Sequence, residues 1–252
     1  MDDFAGRAAL VTGATRGIGF GIAKELVARG ADVCITARKE DELAQAVDEL
    51  DPQGEGRVIA ARGSADDPDH QQAAVELTIE AFGRLDHLVN NAAVNPQFGP
   101  LMDADLGAVR KILEVNVTAV LAWTQLAWRA WLADNGGSIL NVASVGGLRA
   151  GAPIGAYNTS KAAVIHLTRQ LGVEMGPRVR VNAIAPAVVK TVFARALYEG
   201  REDEVAAAYP LRRLGEPTDT AKLAAFLLSD DAGWITGETV TIDGGVSLAG
   251  GV

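Results

Sequence analysis

The stretch that decides the fold reads Thr12-Gly13-Ala14-Thr15-Arg16-Gly17-Ile18-Gly19. It follows a short apolar run at residues 8–12 and precedes residues 18–29, where apolar side chains recur at helical spacing. A glycine-rich turn between a strand and a helix lets backbone N–H groups approach a pyrophosphate, and the helix N-terminus favours the negative charge. The context predicts a dinucleotide-binding turn, although a tight turn that binds no ligand has the same spacing.

Downstream of this turn, short apolar runs alternate with longer helical patterns. The predicted strands are residues 8–12, 33–36, 58–61, 88–89, 138–142, 179–183 and 239–242. The predicted helices are residues 18–29, 40–50, 71–82, 106–133 (one long helix or two joined), 156–175 and 219–228. This alternation predicts an α/β fold, a Rossmann-like doubly wound parallel β-sheet of about seven strands with helices on both faces. No linker divides the 252 residues, so we expect one domain over residues 1–252.

Composition narrows the class of protein. The net charge of −9 argues against nucleic acid or an anionic membrane as the main partner. Cys34 is the single cysteine, which excludes a disulfide within the chain. The first residues lack a basic segment followed by an apolar run, and the apolar stretches are too short to span a bilayer. We expect a cytoplasmic protein, and no metal site is expected.

The end of the second predicted strand indicates which dinucleotide binds. A nicotinamide cofactor without a 2′-phosphate usually meets an acidic residue there. This chain has Arg38 and Lys39 instead. The guanidinium of Arg38 can bind a phosphate with two hydrogen bonds, and Arg16 in the glycine turn can approach from the other side. Both arginines can equally be solvated surface cations, but the pattern favours NADP(H) over NAD(H).

A second motif, Tyr157-Asn158-Thr159-Ser160-Lys161, begins thirteen residues after Ser144. A tyrosine and a lysine four residues apart share one face of a helix. A neighbouring ammonium stabilises the phenolate and lowers a tyrosine pKa from its ordinary value of about 10. The pair therefore suits proton transfer to or from an oxygen, while the nicotinamide carries the hydride.

These motifs are similar to those of the short-chain dehydrogenase/reductase family, over roughly residues 5–247. The resemblance rests on the glycine turn, Asn90-Asn91-Ala92-Ala93, Asn116, Ser144, the Tyr157–Lys161 motif, Asn182-Ala183-Ile184-Ala185-Pro186 and Ile242-Asp243-Gly244-Gly245. Each motif lies on the appropriate predicted element. The resemblance implies an oxidoreductase that acts on CH–OH or C=O groups with a nicotinamide cofactor.

The resemblance also implies catalytic roles. Tyr157 is the general acid in reduction and the general base in oxidation. Lys161 lowers the pKa of Tyr157 and hydrogen-bonds the nicotinamide ribose. Ser144 holds the substrate oxygen and stabilises the charge that develops on it. Asn116 anchors a water that links Lys161 to solvent.

Further cofactor contacts follow from the same resemblance. The residues that we expect to contact the cofactor are Gly13, Thr15, Arg16, Gly17, Ile18, Gly19, Arg38, Ser64, Asn90, Ala92, Tyr157, Lys161, Pro186, Val189 and Thr191. Asn90 can alternatively brace the sheet. Val189 is expected at the nicotinamide carboxamide, and Thr191 near an amide or phosphate.

Three positions depart from the family pattern. Ser64 stands where the family often has an aspartate for the adenine amine, which puts that contact in doubt. Ala93 and Ala187 stand where the family usually has glycine. If position 187 required a positive φ, alanine would cost about 1 kcal/mol and the loop would shift.

The substrate is less constrained than the cofactor. A lid over residues 188–214, with Phe193, Leu197 and Tyr209, predicts a largely apolar pocket for a small carbonyl or alcohol, although several of these side chains can equally be ordinary core residues. One branch of the family reduces 3-oxoacyl groups on an acidic carrier protein and places basic residues where this chain has residues 133–135 and Val173. We therefore rank a free ketone or a coenzyme A thioester above the carrier-bound substrate.

Two expectations concern assembly and a rival class of protein. Trp123, Trp128 and Trp131 on the long helix predict a second buried surface, and the family packs this helix across a two-fold axis. We expect a homotetramer, although one broad core face could also take up some of these tryptophans. The rival function is a non-catalytic dinucleotide-binding regulator.

Overall fold

The computed structural model describes residues 3–249. Seven strands form one parallel sheet in the order β3-β2-β1-β4-β5-β6-β7. They are β1 (Ala8–Thr12), β2 (Asp32–Ala37), β3 (Val58–Arg62), β4 (His87–Asn90), β5 (Gly137–Val142), β6 (Val179–Pro186) and β7 (Thr239–Ile242). The Rossmann-like α/β fold predicted from the sequence is confirmed.

Helices cover both faces of the sheet. They are α1 (Gly17–Ala28), α2 (Glu40–Leu50), α3 (Pro68–Phe82), α4 (Leu106–Leu113), α5 (Ala119–Ala127), α6 (Ala133–Asn135), α7 (Gly155–Glu174), α8 (Glu202–Ala207) and α9 (Pro217–Leu228). Two π-helical turns, Glu114–Thr118 and Trp128–Leu132, join α4, α5 and α6 into one continuous helical stretch. The predicted long helix is therefore present, interrupted by two widened turns, and α8 was not predicted.

The sheet is apolar on both sides because helices pack against both of its faces. In β1, Val11 belongs to the core formed with α1, α2 and α9, and Leu10 belongs to the core formed with α3, α5 and α7. All five residues of β1 are buried, as expected when helices cover both faces of a parallel sheet. Such strands read as continuous apolar runs, which made them visible in the sequence.

The order of the strands reverses between β1 and β4, which pair in parallel. Ligands in open α/β sheets bind in the crevice at the carboxyl ends of the strands on either side of such a reversal. The glycine turn follows β1 and Asn91 follows β4. The topology therefore directs attention to the crevice between them.

The three tryptophans of the long helical stretch pack within their own subunit. Trp123 is buried and donates a hydrogen bond of 2.9 Å from Nε1 to the carbonyl oxygen of Ala65. Trp128 and Trp131 are partly buried against the same core. One core face takes up Trp123 and part of Trp128 and Trp131, and the second buried surface that we predicted from these side chains stays a prediction.

Within residues 3–249, no helix is both long enough and apolar enough to span a bilayer.

Candidate active site

The predicted proton-transfer pair lies near the start of α7. Tyr157 and Lys161 are one turn apart, and the ammonium of Lys161 is 5.6 Å from the centroid of the Tyr157 ring. Lys161 is buried and donates a hydrogen bond of 2.6 Å from Nζ to the carbonyl oxygen of Val142 at the end of β5. Ser144 lies two residues beyond that strand. The structure therefore gathers the predicted serine, tyrosine and lysine at one edge of the sheet.

The acidities of these groups are set mainly by burial. Burial raises the pKa of Tyr157 above its ordinary value, and a hydrogen bond with Ser144 opposes part of that rise. Burial lowers the pKa of Lys161 to about 8. Lys161 donates to the carbonyl oxygen of Val142, and the role of Lys161 in lowering the pKa of Tyr157 stays a prediction.

Asn116 acts as a structural link in this site. It lies fully buried in the π-helical turn between α4 and α5. Its Oδ1 accepts a hydrogen bond of 2.9 Å from the amide of Val94, and its Nδ2 donates to Val94 O at 3.0 Å and to Ser160 Oγ at 3.1 Å. Ser160 Oγ in turn donates to the carbonyl oxygen of Tyr157 at 2.7 Å. Asn116 therefore joins the long helix, the loop after β4 and α7.

The glycine turn has a backbone that suits a pyrophosphate. Gly13 and Gly17 adopt φ of 64° and 63°, in the left-handed region that favours glycine. A Cβ at Gly19 would lie 2.3 Å from Asn91 Nδ2 and 2.6 Å from Gly13 O, so only glycine fits there. Helix α1 has no side-chain cap and no acidic residue in its first turn. Its first N–H groups are available to an anion, and the turn fits a dinucleotide.

Thr12 and Asn91 hold this turn in place, and the sequence analysis assigned neither of them a role. Thr12 Oγ1 donates to Val89 O at 3.2 Å and accepts hydrogen bonds from the amides of Asn91 and Ala92 at 3.0 and 3.1 Å. Asn91 Nδ2 donates to the carbonyl oxygens of Thr12 and Gly13 at 2.8 and 2.9 Å. The only sequence signal was their position at the ends of two strands that prove to be neighbours.

The cations expected at a 2′-phosphate differ in their environment. Arg38 is exposed, and within residues 3–249 it has no ion-pair partner. Arg16 is also exposed, but its Nη1 lies 3.2 Å from Glu42 Oε1. The backbone amide of Ala14 donates to Thr36 O at 3.1 Å, which brings the glycine turn beside the end of β2. Both arginines therefore lie near one another at the edge of the crevice.

The other residues expected to contact the adenosine differ in whether their side chains already have partners within the protein. Ser64 Oγ donates to Asp66 Oδ1 at 2.6 Å, and Asp66 is ion-paired with Lys111, so the nearby carboxylate is already engaged. The side chain of Asn90 is buried and donates to Asn141 Oδ1 at 2.9 Å. Asn90 thus braces the sheet, which was the alternative left open. Ala92, in contrast, lies beside Gly13.

The loop after β6 lies over the glycine turn. Pro186 ends β6, and Val189 is buried and bridges to Gly215. A Cβ at Gly17 would lie 3.1 Å from Thr191 Cγ2, so Thr191 is in contact range of the turn. Ala187 does not have a positive φ, because Arg212 is the only non-glycine residue with one among the described residues. The loop shift considered for Ala187 is therefore not required.

Within the segment predicted to form the substrate lid, one aromatic side chain lies beside Tyr157. Phe193 is exposed, and its ring centroid lies 5.9 Å from that of Tyr157. Tyr209 is a core residue, which was the alternative left open for the side chains of this segment. It is buried with Ala206 and Leu214, and its hydroxyl accepts a hydrogen bond of 3.2 Å from the amide of Val188. It stabilises the lid from inside.

A cavity of about 680 Å³ opens beside the site, between the loop after β5 and the outer face of α7. Its lining includes Leu101, Leu148, Arg149, Pro153 and Thr159. Ser144, Tyr157 and Lys161 do not line it. The cavity is therefore adjacent to the proton-transfer pair without containing it.

Comparison with known proteins shows which family this chain resembles. The family model described as enoyl-(acyl carrier protein) reductase matches residues 13–247. Dehydrogenase/reductase SDR family member 4 of Pongo abelii is 41% identical over 251 residues, which cover 97% of this chain and 88% of that protein.

Solved structures of other proteins are also similar to this chain in fold and in sequence. A short-chain dehydrogenase/reductase from Brucella melitensis, described as a glucose/ribitol dehydrogenase, has a TM-score of 0.91 and 30% identity, covering 97% of this chain and 98% of that one. The structure described as ElxO with NADP bound has a TM-score of 0.88 and 29% identity, covering 96% and 99%.

Proposed function

Since the chain belongs to the short-chain dehydrogenase/reductase family, whose members are oxidoreductases acting on CH–OH and C=O groups, we propose that it transfers a hydride between NADP(H) and a ketone or secondary alcohol. The observation that carries the proposal is the buried ammonium of Lys161, 5.6 Å from the Tyr157 ring centroid, at the carboxyl edge of the sheet. A buried lysine beside a tyrosine is suited to controlling a proton.

The proton chemistry is assigned to three side chains. In reduction, Tyr157 donates its proton to the substrate oxygen, and in oxidation it accepts that proton. Ser144 donates a hydrogen bond to the same oxygen while negative charge develops there. Burial raises the pKa of Tyr157, so the phenol is protonated in the cofactor-free protein, and the positive charge of Lys161 is proposed to stabilise the phenolate that forms when the proton leaves. Bound in the crevice, the nicotinamide supplies or accepts the hydride.

Asn116 is proposed to act as a positioning residue. Its side-chain amide already makes three hydrogen bonds, to Val94 and Ser160. A water of the expected proton relay would therefore bind the backbone of the π-helical turn, where the helical hydrogen-bond pattern is widened.

The cofactor is proposed to lie along the crevice from β2 to β6. The amides of the glycine turn and of the first turn of α1 would hold the pyrophosphate. Arg16 and Arg38 would hold a 2′-phosphate, which favours NADP(H) over NAD(H). Ala92, Val189 and Thr191 would contact the ribose and nicotinamide end.

An apolar ketone or a coenzyme A thioester is the proposed substrate. The exposed ring of Phe193 against Tyr157 supports an apolar group beside the reacting carbon. A carrier-bound 3-oxoacyl substrate is the second candidate. It is disfavoured because the exposed residues Asp134, Asn135 and Val173 are not basic. These positions therefore offer no positive charge to an acidic carrier.

A homotetramer remains part of the proposal. The segment leading into α4 exposes Leu101 and Met102, and α4 itself exposes Leu106 and Leu113. Large apolar side chains exposed close together mark association surfaces. Size-exclusion chromatography with light scattering measures the oligomeric state. We expect Leu106→Glu to reduce the fraction of tetramer.

The decisive experiment for the function is a fluorescence titration with NADPH and NADH, followed by a panel of ketones and coenzyme A thioesters. We expect NADPH to bind more tightly than NADH and to be oxidised by at least one carbonyl. Equal or reversed preference would indicate an NAD-linked alcohol dehydrogenase. Binding without turnover of any carbonyl or alcohol would favour the rival function, a dinucleotide-binding regulator.

A further inference from the structure

Glu42 occupies the place where the glycine turn, the end of β2 and the start of α2 meet. Its Oε1 lies 3.2 Å from Arg16 Nη1 and accepts a hydrogen bond of 2.7 Å from Lys39 Nζ. Its Oε2 accepts a hydrogen bond of 3.4 Å from Thr15 Oγ1. One carboxylate therefore contacts two of the three cations at this edge of the crevice.

The third cation, Arg38, has no such contact within the described residues. It lies between Lys39 and the end of β2, next to the glycine turn that carries Arg16. A phosphate held jointly by Arg16 and Arg38 would lie close to the Glu42 carboxylate, because Arg16 is within 3.2 Å of that carboxylate.

Glu42 is ionised at neutral pH. The hydrogen bond from Lys39 is the largest contribution that lowers its pKa, and the charge of Arg16 adds to it. Glu40 and Asp41 share the first turn of α2, and Glu40 is paired with Arg62 at 3.0 Å. The edge that should attract a phosphate therefore carries fixed negative charge close to its cations.

We propose that Glu42 is a specificity-determining residue that weakens this chain's preference for a cofactor with a 2′-phosphate, by holding Arg16 and Lys39 in the free protein. The inference rests on the proposed function, since it concerns the dinucleotide site of that reaction. Glu42 sets the strength of the preference, while Arg16 and Arg38 set its direction.

The direction of the effect follows from charge. A 2′-phosphate must share Arg16 with the carboxylate or displace it, and it is repelled by that carboxylate across a few ångströms. NADH has a neutral hydroxyl at the same position and meets neither cost. Replacing the carboxylate by an amide of the same shape removes the repulsion and frees both cations for the phosphate.

The test compares dissociation constants of NADPH and NADH for wild type and Glu42→Gln, by cofactor fluorescence at fixed salt. We expect the NADPH constant to fall about threefold to tenfold and the NADH constant to change less than about twofold. The matched control is Glu49→Gln, which removes the same charge from the same face of α2 two turns later, where Glu49 lies 3.7 Å from Lys24. The dissociation constants of NADPH and NADH should both stay unchanged in that control.

A double-mutant cycle with Arg16→Ala locates the effect. If Glu42 acts by occupying Arg16, the gain from Glu42→Gln should shrink when Arg16 is absent. An unchanged or weakened NADPH affinity in Glu42→Gln would overturn the inference, since it would mean that Glu42 is neutral or positions Arg16 for the phosphate.

Failure of the proposed function has a different signature. A wild type that binds neither NADPH nor NADH would overturn the function and this inference together. A wild type that binds NADH alone would leave a nicotinamide enzyme in place, and Glu42→Gln should then gain measurable NADPH affinity. No gain in that case would overturn the inference alone.

Discussion

The ammonium of Lys161 donates a hydrogen bond of 2.6 Å to the carbonyl oxygen of Val142, the last residue of β5. This contact fixes a buried charge at the end of the strand that leads to Ser144. In the same position the ammonium lies 5.6 Å from the centroid of the Tyr157 ring. The two pKa values of the pair are therefore governed by burial more than by each other.

Stability should depend on pH through Lys161. Its pKa is lowered from the ordinary lysine value of 10.5 to about 8 by burial. Between these values the unfolded chain binds more protons than the native protein, so the stability of the native protein rises with pH. The difference in unfolding free energy between wild type and Lys161→Met should change by about 2 kcal/mol from pH 7 to pH 9.5.

Denaturant unfolding of the cofactor-free protein at several pH values measures this change. A difference between wild type and Lys161→Met that is constant with pH would show that the lysine titrates alike in the folded and unfolded states.

Removal of the Tyr157 hydroxyl should separate binding from chemistry. Tyr157→Phe is expected to lower turnover at least about 100-fold, because it removes the hydroxyl that is proposed to transfer the proton. The dissociation constant of NADPH should change little, since the ring remains. The control is Tyr198→Phe, which removes a lid hydroxyl that donates to Thr191 O at 3.3 Å. Substantial turnover in Tyr157→Phe would contradict the proposed mechanism.

Asn116 should matter for stability as well as activity. Asn116→Ala loses three hydrogen bonds that join the long helix to Val94 and Ser160, and should cost about 2–3 kcal/mol of unfolding free energy. Asn135→Ala is the control, because that exposed side chain makes one bond, to Trp131 O at 2.9 Å, and should cost less than about 0.5 kcal/mol. Equal losses in chemical denaturation would argue against the linking role.

Gly19 tests the shape of the glycine turn. Gly19→Ala would place a Cβ 2.6 Å from the carbonyl oxygen of Gly13, and should cost about 1–3 kcal/mol and weaken dinucleotide binding. Gly151→Ala is the control, since its nearest neighbour would be Asn158 Nδ2 at 3.9 Å. Thermal unfolding and NADPH titration of both variants measure the difference. A Gly19→Ala protein that binds NADPH normally would show that the turn is not tightly packed.

Local patterns carried most of the fold. The bounds of β1, α2 and β7 match those predicted from the sequence, because buried parallel strands are continuous apolar runs and helices repeat near 3.6 residues. The widened turns at Glu114–Thr118 and Trp128–Leu132 were not predictable in this way, since no local residue pattern marks a π-helical turn.

The site residues also divide into those that a local sequence pattern predicts and those that depend on contacts between distant segments. Tyr157 and Lys161 were predicted from residue type and spacing, and Ser144 from the resemblance to the family. The partners of Asn116 and Lys161 are backbone atoms of distant segments, which no spacing rule identifies. The sequence left Tyr209 open between the pocket and the core of this segment, because only packing decides between these.

The sequence by itself determined the parallel α/β fold, the glycine turn and the residue types of the proton-transfer site, since each is encoded within one strand, turn or helix. Only the tertiary structure decided that Lys161 holds Val142 and that Thr12 and Asn91 hold the glycine turn. It alone placed Glu42 between Arg16 and Lys39. These contacts join segments far apart in the chain, and their geometry exists only once the strands have taken their order in the sheet.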